Sequence, residues 1–211
     1  MKPITQLWRA QTDDLEPRIM ESVSKALANG GVVVFPTDTV YGMGASVFRP
    51  LAIRRIYKMK GRSWKKPLPF LVSDVEQALS LVEPPDRKLQ RLLRTWWPGP
   101  LTVVFKTSSL GRWTTGGKET LALRIPKHPV ALAILREAGA PLAVTSANRS
   151  GQKETLTGEH VARLFFGKAD VIVDGGPCQR GVPSTVLDVS SSAWTLVREG
   201  AVSREELLKF L

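Results

Sequence analysis

Four short polar segments of the sequence contain the residue types that bind small polar ligands. Each follows an apolar run or ends a helix: PTDTVYG at 36–42, KMKGR at 58–62, TSANRSG at 145–151 and PSTV at 183–186. In an α/β domain, the ends of neighbouring strands meet at one crevice, where ligand-binding groups are usually found. Ordinary turns use the same residues, so any one segment alone favours a turn. Four of them beside the basic cluster at 54–66 instead favour a site for an anionic ligand.

The pair Lys60 and Arg62 flanks Gly61 at the end of a predicted helix. Basic side chains at this position can simply balance the helix dipole. Gly61, however, lets the backbone turn sharply, so that both side chains can point at one phosphate group. Arg offers a planar fork and Lys a point charge, which together suit a polyphosphate. We expect both side chains to be exposed.

Ser146 and Asn148 lie two residues apart after the apolar run LAV. If strand geometry continues, both side chains face the same side and can bind a ribose, a phosphate or a carboxylate. A turn that caps the strand is at least as well supported by these two residues alone.

Arg124 lies inside the apolar run LALRIP at 121–126. A charge in a strand interior needs a partner, because burial of a lone charge is costly. The residues leave two partners open: a structural carboxylate such as Asp188, or the carboxylate of a bound substrate.

Several common chemistries lack their sequence signals. There is no GxxxxGK[ST] phosphate loop, no HExxH and no GxSxG elbow, and the GMGASV stretch lacks the third glycine of a dinucleotide fingerprint. With one cysteine, Cys178, and only His128 and His160, a dedicated zinc site is not expected. His128 is expected to begin a helix, and no residue stands out as a general base.

The basic composition leaves two interpretations open, a polyanionic partner or a solvated basic surface, and composition alone slightly favours the solvated surface. The 211 residues carry a net charge of +11, a balance typical of proteins that bind nucleic acid or nucleotide phosphates. The single cysteine needs no oxidising compartment. No signal peptide or membrane-spanning run is evident, so we expect a cytoplasmic protein without membrane contact.

The hydrophobic pattern predicts an α/β fold with a twisted, mixed sheet and flanking helices. Helices are predicted at 18–29, 49–61, 86–97, 128–139, 158–165 and 203–210. Strands are predicted at 32–35, 67–72, 101–105, 120–126, 141–148, 170–176, 184–189 and 193–199. Two prolines make 67–72 an edge or irregular strand, and 107–120 is predicted to be a long loop within one domain that spans residues 1–211.

The motifs resemble, in their order, the YrdC family of threonylcarbamoyl-AMP synthases. They are PTDTVYGMG, KGR followed by KPLPFLV, WPGPLT, LALRIPKHP, TSANRSG, PSTV and VREG, and they span about residues 15 to 200. The resemblance implies a YrdC-like fold with a basic concave face. It also implies a reaction in which L-threonine, bicarbonate or CO₂, and ATP give threonylcarbamoyl-AMP and pyrophosphate, with Mg²⁺ on the ATP phosphates.

The resemblance also assigns roles to individual residues. It places Lys60, Arg62, Ser146 and Asn148 at the nucleotide and phosphate site as catalytic groups. Further ATP contacts are Lys66, Thr120 and Arg198, and the threonine contacts are Thr39, Arg124 and Ser184. The chain departs from the family pattern at Ser63, where Pro is frequent, and at Leu71, where longer members have His. Longer members also continue into a second domain, which this chain is not expected to have.

The implied partners extend to tRNA, directly or through a downstream threonylcarbamoyl transferase complex. The main alternative is a non-catalytic RNA-binding module of the same fold. The intact KxR and SAN motifs favour the enzyme. A carbamoyl-transfer domain of a hydrogenase-maturation protein is disfavoured, because those chains carry zinc-binding cysteines.

Overall fold

The predicted strands join one sheet together with two strands that were not predicted, at Gln6–Arg9 and Gly42–Ser46. The structure, a computed structural model, describes residues 4–10 and 15–210. Within these residues the strands are β1 (Gln6–Arg9), β2 (Val33–Phe35), β3 (Gly42–Ser46), β4 (Phe70–Leu71), β5 (Leu101–Lys106), β6 (Thr120–Arg124), β7 (Leu142–Ser146), β8 (Val171–Asp174), β9 (Thr185–Asp188) and β10 (Thr195–Arg198). They lie in the order β1-β8-β2-β3-β7-β4-β6-β5-β9-β10.

The sheet contains both parallel and antiparallel neighbours, which confirms the mixed α/β prediction. Strands β1–β8, β2–β8, β4–β6 and β5–β9 pair in parallel. Strands β2–β3, β3–β7, β4–β7, β5–β6 and β9–β10 pair antiparallel. Long helical connections between parallel strands account for this mixture.

The helices of the described residues follow the predicted pattern with two additions. They are α1 (Pro17–Ala28), α2 (Pro50–Lys60), α3 (Val75–Ser80), α4 (Arg87–Trp96), α5 (Ser109–Thr114), α6 (Pro129–Ala138), α7 (Gly158–Phe165) and α8 (Arg204–Leu208). His128 is the N-cap residue of α6, as predicted. No helix in this part of the chain combines the length and apolar composition needed to cross a membrane.

One sequence prediction about local structure is wrong, and another holds in only one of its two alternatives. The segment 107–120 contains helix α5, because the Ser108 side chain accepts a hydrogen bond from the backbone N–H of Gly111 and caps a short helix. Of the edge and irregular alternatives for 67–72, the structure supports the irregular one, because β4 has only two residues and lies between β7 and β6. Its prolines are tolerated because Pro67 and Pro69 precede the two paired residues and need donate no ladder hydrogen bond.

The sheet is covered by one apolar core on each face, and Arg124 lies at the margin of one of them. Helices α1 and α6 pack on one face in a core that reaches Leu71 of β4. On the opposite face, β5 and β6 contribute Val103 and Leu123 to the second core. Because side chains alternate along a strand, Thr102 and Arg124 point to the first face, where Arg124 pairs in register with Leu71. The fold therefore places Arg124 at the margin of the α1/α6 core.

Candidate functional site

A cavity of about 130 Å³ lies where the predicted polar segments meet. Its walls come from the loop between β2 and β3, the segment after α2, and strands β5, β6, β7 and β10. Its polar lining includes six of the residues predicted from the sequence: Thr39, Arg62, Arg124, Ser146, Ser184 and Arg198. Apolar groups from Val40, Leu71 and Val144 complete part of the wall. Segments far apart in the chain therefore do converge on one crevice.

Arg124 is held by three protein groups at one end of the cavity. Its Nε donates to the Gly99 carbonyl at 2.9 Å, and Nη1 donates to Thr39 Oγ1 at 3.0 Å. Its Nη2 donates to Asp38 Oδ1 at 2.6 Å. The Arg124 and Asp38 side chains are only 7% and 5% exposed, so this is a buried ion pair.

The buried-charge prediction for Arg124 is thus right about burial and wrong about the partner proposed within the chain. Asp188 does not pair with Arg124; its Oδ1 accepts from the backbone and hydroxyl of Ser190. Burial lowers the pKa of Arg124, whereas the charge of Asp38 opposes that shift. The sequence did not point to Asp38 as the partner. Nothing in the PTDTVYG turn indicates that its carboxylate contacts Arg124, which lies 86 residues further along the chain.

Hydroxyl groups line the wall beside Arg124. Thr102 Oγ1 and Ser184 Oγ are 2.8 Å apart, and both residues are buried. Arg198 Nη2 donates to the Ser184 carbonyl at 2.7 Å, which fixes the guanidinium over this wall. Thr102 was not predicted from the sequence, because an isolated threonine in an apolar strand is common. This part of the cavity can hydrogen-bond a small hydroxylated ligand.

Lys60 lies below the cavity rather than in its lining. The residue is 5% exposed, so the prediction that it would be exposed is wrong. Its ammonium group donates to Asn148 Oδ1 at 2.6 Å, to the Ser146 carbonyl at 2.7 Å and to Ser146 Oγ at 3.0 Å. Burial lowers the pKa of Lys60 to about 8, with Glu154 opposing the shift and Arg62 adding to it. Lys60 therefore holds Ser146 and Asn148 together from a buried position outside the cavity lining.

Ser146 and Asn148 meet on the Lys60 ammonium group, as their two-residue spacing allows. Ser146 Oγ donates to Asn148 Oδ1 at 2.8 Å, and Asn148 Nδ2 donates to the Gln152 carbonyl at 2.7 Å. Ser146 lines the cavity, whereas Asn148 is buried outside the lining. The segment is therefore a capped turn that also presents one hydroxyl group to the cavity.

Arg62 enters the cavity from the turn after α2. Gly61 has a left-handed backbone (φ 64°) and ends the helix, as the sequence predicted. Arg62 Nε donates to the Lys66 carbonyl at 3.0 Å, and Nη2 donates to the Pro67 carbonyl at 3.1 Å. These two bonds fix the guanidinium while leaving N–H groups for a ligand.

Lys66 and Thr120 lie away from the cavity. Lys66 is exposed and contributes its carbonyl, not its side chain, to the Arg62 contacts. Thr120, at the far end of β6 from Arg124, lines a second cavity together with Trp64. The structure does not bring these two side chains together with the others, and their role as ATP contacts stays a prediction.

Glu154 is an acidic residue that the sequence reasoning missed. Its Oε2 atom is buried without a hydrogen-bond partner in the part of the chain that the structure describes. Its charge acts to raise the pKa values of Lys60 and Arg198, against the effect of burial on both. A lone glutamate in the loop after TSANRSG carries no pattern that would have identified it. Glu154 places one negative charge close to the basic side chains of Lys60 and Arg198.

Comparison with known proteins identifies the family. The Sua5/YciO/YrdC family model, described as "Telomere recombination", matches residues 25–200. The chain belongs to this family. Threonylcarbamoyl-AMP synthase of Bacillus subtilis is 40% identical over 201 residues, covering 93% of this chain and 58% of the relative. A putative threonylcarbamoyl-AMP synthase of Mycobacterium tuberculosis is 33% identical, covering 99% and 96%.

Solved structures of the Sua5/YciO/YrdC family share the fold. The Pyrococcus abyssi Sua5 complex with L-threonine matches with a TM-score of 0.88 and 35% identity, covering 99% of this chain and 61% of that one. Escherichia coli YciO matches with a TM-score of 0.86 and 25% identity, covering 98% and 100%. The chain thus spans little more than half the length of some Sua5/YciO/YrdC relatives and nearly all of others. The family and fold predicted from the ordered motifs are confirmed.

Proposed function

We propose that this protein is a threonylcarbamoyl-AMP synthase. The observation that carries the proposal is a single cavity with a buried arginine clamp at one end and Arg62, Ser146 and Arg198 around the rest. Several relatives bear this enzyme name, which supports a synthase over a non-catalytic RNA-binding module. Threonine, ATP and bicarbonate or CO₂ are the substrates, and pyrophosphate leaves.

The carboxylate of threonine binds Arg124. The hydroxyl of threonine lies beside Thr39 and Ser184, on the wall that Thr102 and Ser184 form. A planar guanidinium can donate to both carboxylate oxygens at once. The neighbouring Thr102 and Ser184 hydroxyls, 2.8 Å apart, can exchange hydrogen bonds with a ligand hydroxyl. The solved complex of a Sua5 relative with L-threonine supports a threonine pocket in this fold.

The phosphates of ATP lie against Arg62, Arg198 and Ser146. No cluster of three or more His, Cys, Asp or Glu residues suited to a metal occurs among residues 4–10 and 15–210. This basic and hydroxylated lining suits phosphate oxygens, so Mg²⁺ would be held by ATP itself. When bound there, Mg²⁺ supplies further neutralisation of phosphate charge.

The reaction joins the two ends of the cavity. The neutral amine of threonine attacks CO₂ and loses a proton to solvent, which gives a carbamate. A carbamate oxygen then attacks the α-phosphorus, and the bond from that phosphorus to the bridging oxygen breaks as pyrophosphate leaves. Arg62 and Arg198 stabilise the negative charge that builds on the phosphate oxygens. The clamp and the basic groups hold the two reactants in line, which lowers the entropic part of the barrier.

A pyrophosphate-release assay tests the proposal. The protein is incubated with MgATP, bicarbonate and labelled threonine, and both pyrophosphate and labelled threonylcarbamoyl-AMP are measured. We expect both products only when threonine is present. Pyrophosphate release that is independent of threonine, or no release at all, would refute the synthase assignment.

Serine should be a poorer substrate than threonine by a modest factor. The cavity wall includes Val40, Leu71 and Val144, which can pack against the threonine methyl group. One methyl group in an apolar pocket is worth about 1–3 kcal/mol, or roughly 10- to 200-fold in kcat/KM. Competition between the two amino acids in the pyrophosphate assay measures the ratio. Equal turnover would contradict a methyl pocket.

ATP binding should take up protons near pH 8 through Lys60. The pKa of Lys60 is lowered to about 8 in the free protein, so the amine is partly neutral at that pH. Nearby phosphates favour the ammonium form and raise this pKa, so binding adds up to about half a proton at pH 8. Calorimetry in buffers of different ionisation enthalpy measures the uptake. Uptake that is unchanged in Lys60→Met would show that another group titrates.

We further propose that the chain acts as one domain in the cytoplasm. Its product would pass to a transferase complex that modifies tRNA, with or without direct contact between tRNA and this protein. The net charge of +11 supports a polyanionic partner in addition to ATP. Salt-dependent binding of tRNA in a filter assay would distinguish direct from indirect contact.

A further inference from the structure

The carboxylate of Asp38 lies behind Arg124 and outside the cavity lining. Asp38 is 3% exposed, and Arg124 is 6% exposed. Asp38 Oδ1 accepts from Arg124 Nη2 at 2.6 Å and from the backbone N–H of Lys127 at 3.0 Å. Its Oδ2 is buried and has no hydrogen-bond partner among residues 4–10 and 15–210. Asp38 therefore touches the cavity only through Arg124.

The hydrogen bonds of Arg124 leave room for a ligand carboxylate. A guanidinium carries five N–H groups. Three of them donate within the protein: Nε to Gly99, Nη1 to Thr39 and Nη2 to Asp38. One N–H therefore remains on each Nη atom. Two such groups are what a carboxylate needs for a bidentate contact.

The charge of Arg124 is already paired with Asp38 before a ligand arrives, while Arg198 and Arg180 add positive charge nearby. Arg124 contributes one positive charge and Asp38 one negative charge, joined at 2.6 Å in a buried site. A ligand carboxylate on Arg124 adds a second negative charge near Asp38. Because both charges are poorly screened by water, the repulsion between them weakens binding.

We infer that Asp38 acts as a built-in counter-ion that positions Arg124 and sets the affinity for the substrate carboxylate. This rests on the proposed function, in which Arg124 binds threonine. Asp38 keeps Arg124 ordered and its charge paired between turnovers, so that Arg124 contributes to threonine binding mainly through the geometry of two N–H groups. Asp38 is a positioning residue, because it reaches the substrate only through Arg124.

The test replaces Asp38 with Asn, which removes the charge and keeps an oxygen acceptor for Arg124 and Lys127. The matched control is Asp170→Asn: Asp170 Oδ2 pairs with Arg55 at 2.9 Å and accepts from the Val32 backbone N–H at 2.7 Å, away from the cavity lining. Threonine and ATP binding are measured by calorimetry, and unfolding is measured by thermal melting with and without threonine.

We expect Asp38→Asn to melt at a lower temperature than the wild type and to bind threonine about tenfold more tightly, because the ligand supplies the missing counter-charge. ATP affinity should stay within about twofold, and the KM for threonine should fall without a rise in kcat. Asp170→Asn should leave threonine affinity unchanged. A lower melting temperature with unchanged or weaker threonine binding would overturn the inference and leave Asp38 a structural residue.

Two further outcomes also decide the matter. If Asp38→Asn folds only when threonine is added, the dependence supports the inference, whereas an insoluble variant that threonine does not rescue overturns it. If the wild type binds no threonine, the proposed function fails, and the comparison is repeated with acetate. A gain in acetate affinity in Asp38→Asn would still support a counter-ion role, and no gain would refute it.

Discussion

Arg62→Ala should lower threonine-dependent pyrophosphate formation by about 100- to 1000-fold, the usual effect of removing one group that stabilises transition-state charge. Arg62 lines the cavity, and its guanidinium is fixed by the carbonyls of Lys66 and Pro67. It has no ion pair to an acidic side chain among those found in residues 4–10 and 15–210. Its charge is therefore available to the phosphates.

The control for this variant is Lys58→Ala, which removes an exposed basic residue from the last turn of the same helix. It should retain activity within about twofold, because surface charges of this kind contribute little. Circular dichroism and thermal melting check that both variants fold. Wild-type activity in folded Arg62→Ala would show that the phosphates bind elsewhere.

Lys60→Ala is a less direct probe than Arg62→Ala. Lys60 is buried, and its ammonium group satisfies oxygen atoms of both Ser146 and Asn148. Removal of the ammonium takes one hydrogen bond from each of these buried oxygen atoms, although Asn148 Oδ1 still accepts from Ser146 Oγ, and the loss costs stability as well as activity. We therefore expect Lys60→Ala to lose both stability and activity.

Arg124→Lys should weaken threonine binding by about 10- to 100-fold, the equivalent of about 1.5–3 kcal/mol for a charged hydrogen bond. A lysine keeps the charge but presents its donors at one point rather than as a planar fork. It cannot serve Gly99, Thr39 and Asp38 together and still offer two N–H groups to a carboxylate. ATP binding should change by no more than about twofold, because Arg124 lies at the other end of the cavity from the SAN segment.

Calorimetric titration of each ligand tests the Arg124 prediction. Arg55→Lys is the matched control, because Arg55 pairs with Asp170 outside the cavity lining and should leave both affinities unchanged. Equal losses of threonine and ATP affinity in Arg124→Lys would indicate a general structural role. An unchanged threonine affinity would place the carboxylate site elsewhere.

The sequence alone determined the family, the α/β class and most helix ends. The ordered motifs from PTDTVYG to VREG are specific as a set, and the family match over residues 25–200 agrees with them. Helix ends were predictable because their causes are local. Gly61 adopts the left-handed conformation that ends α2, and Ser203 with Glu206 forms the capping box that begins α8.

The sequence predicted which residues line the cavity, but it did not predict which of the site residues bind one another. Thr39, Arg62, Arg124, Ser146, Ser184 and Arg198 do converge, because strand ends meet at one crevice. The sequence did not reveal that Lys60 turns inward to Ser146 and Asn148, or that Asp38 is the partner of Arg124.

Only the tertiary structure decided these pairings, and it also placed Thr120 beside Trp64 in a second cavity. Lys60 and Ser146 are 86 residues apart, as are Asp38 and Arg124. Whether such groups meet depends on strand order and register across the sheet, which in turn depend on how two apolar cores pack against it. Local propensity reports the conformation of each segment, whereas the partner of a buried charge is selected by the whole fold, since every alternative would leave that charge unpaired.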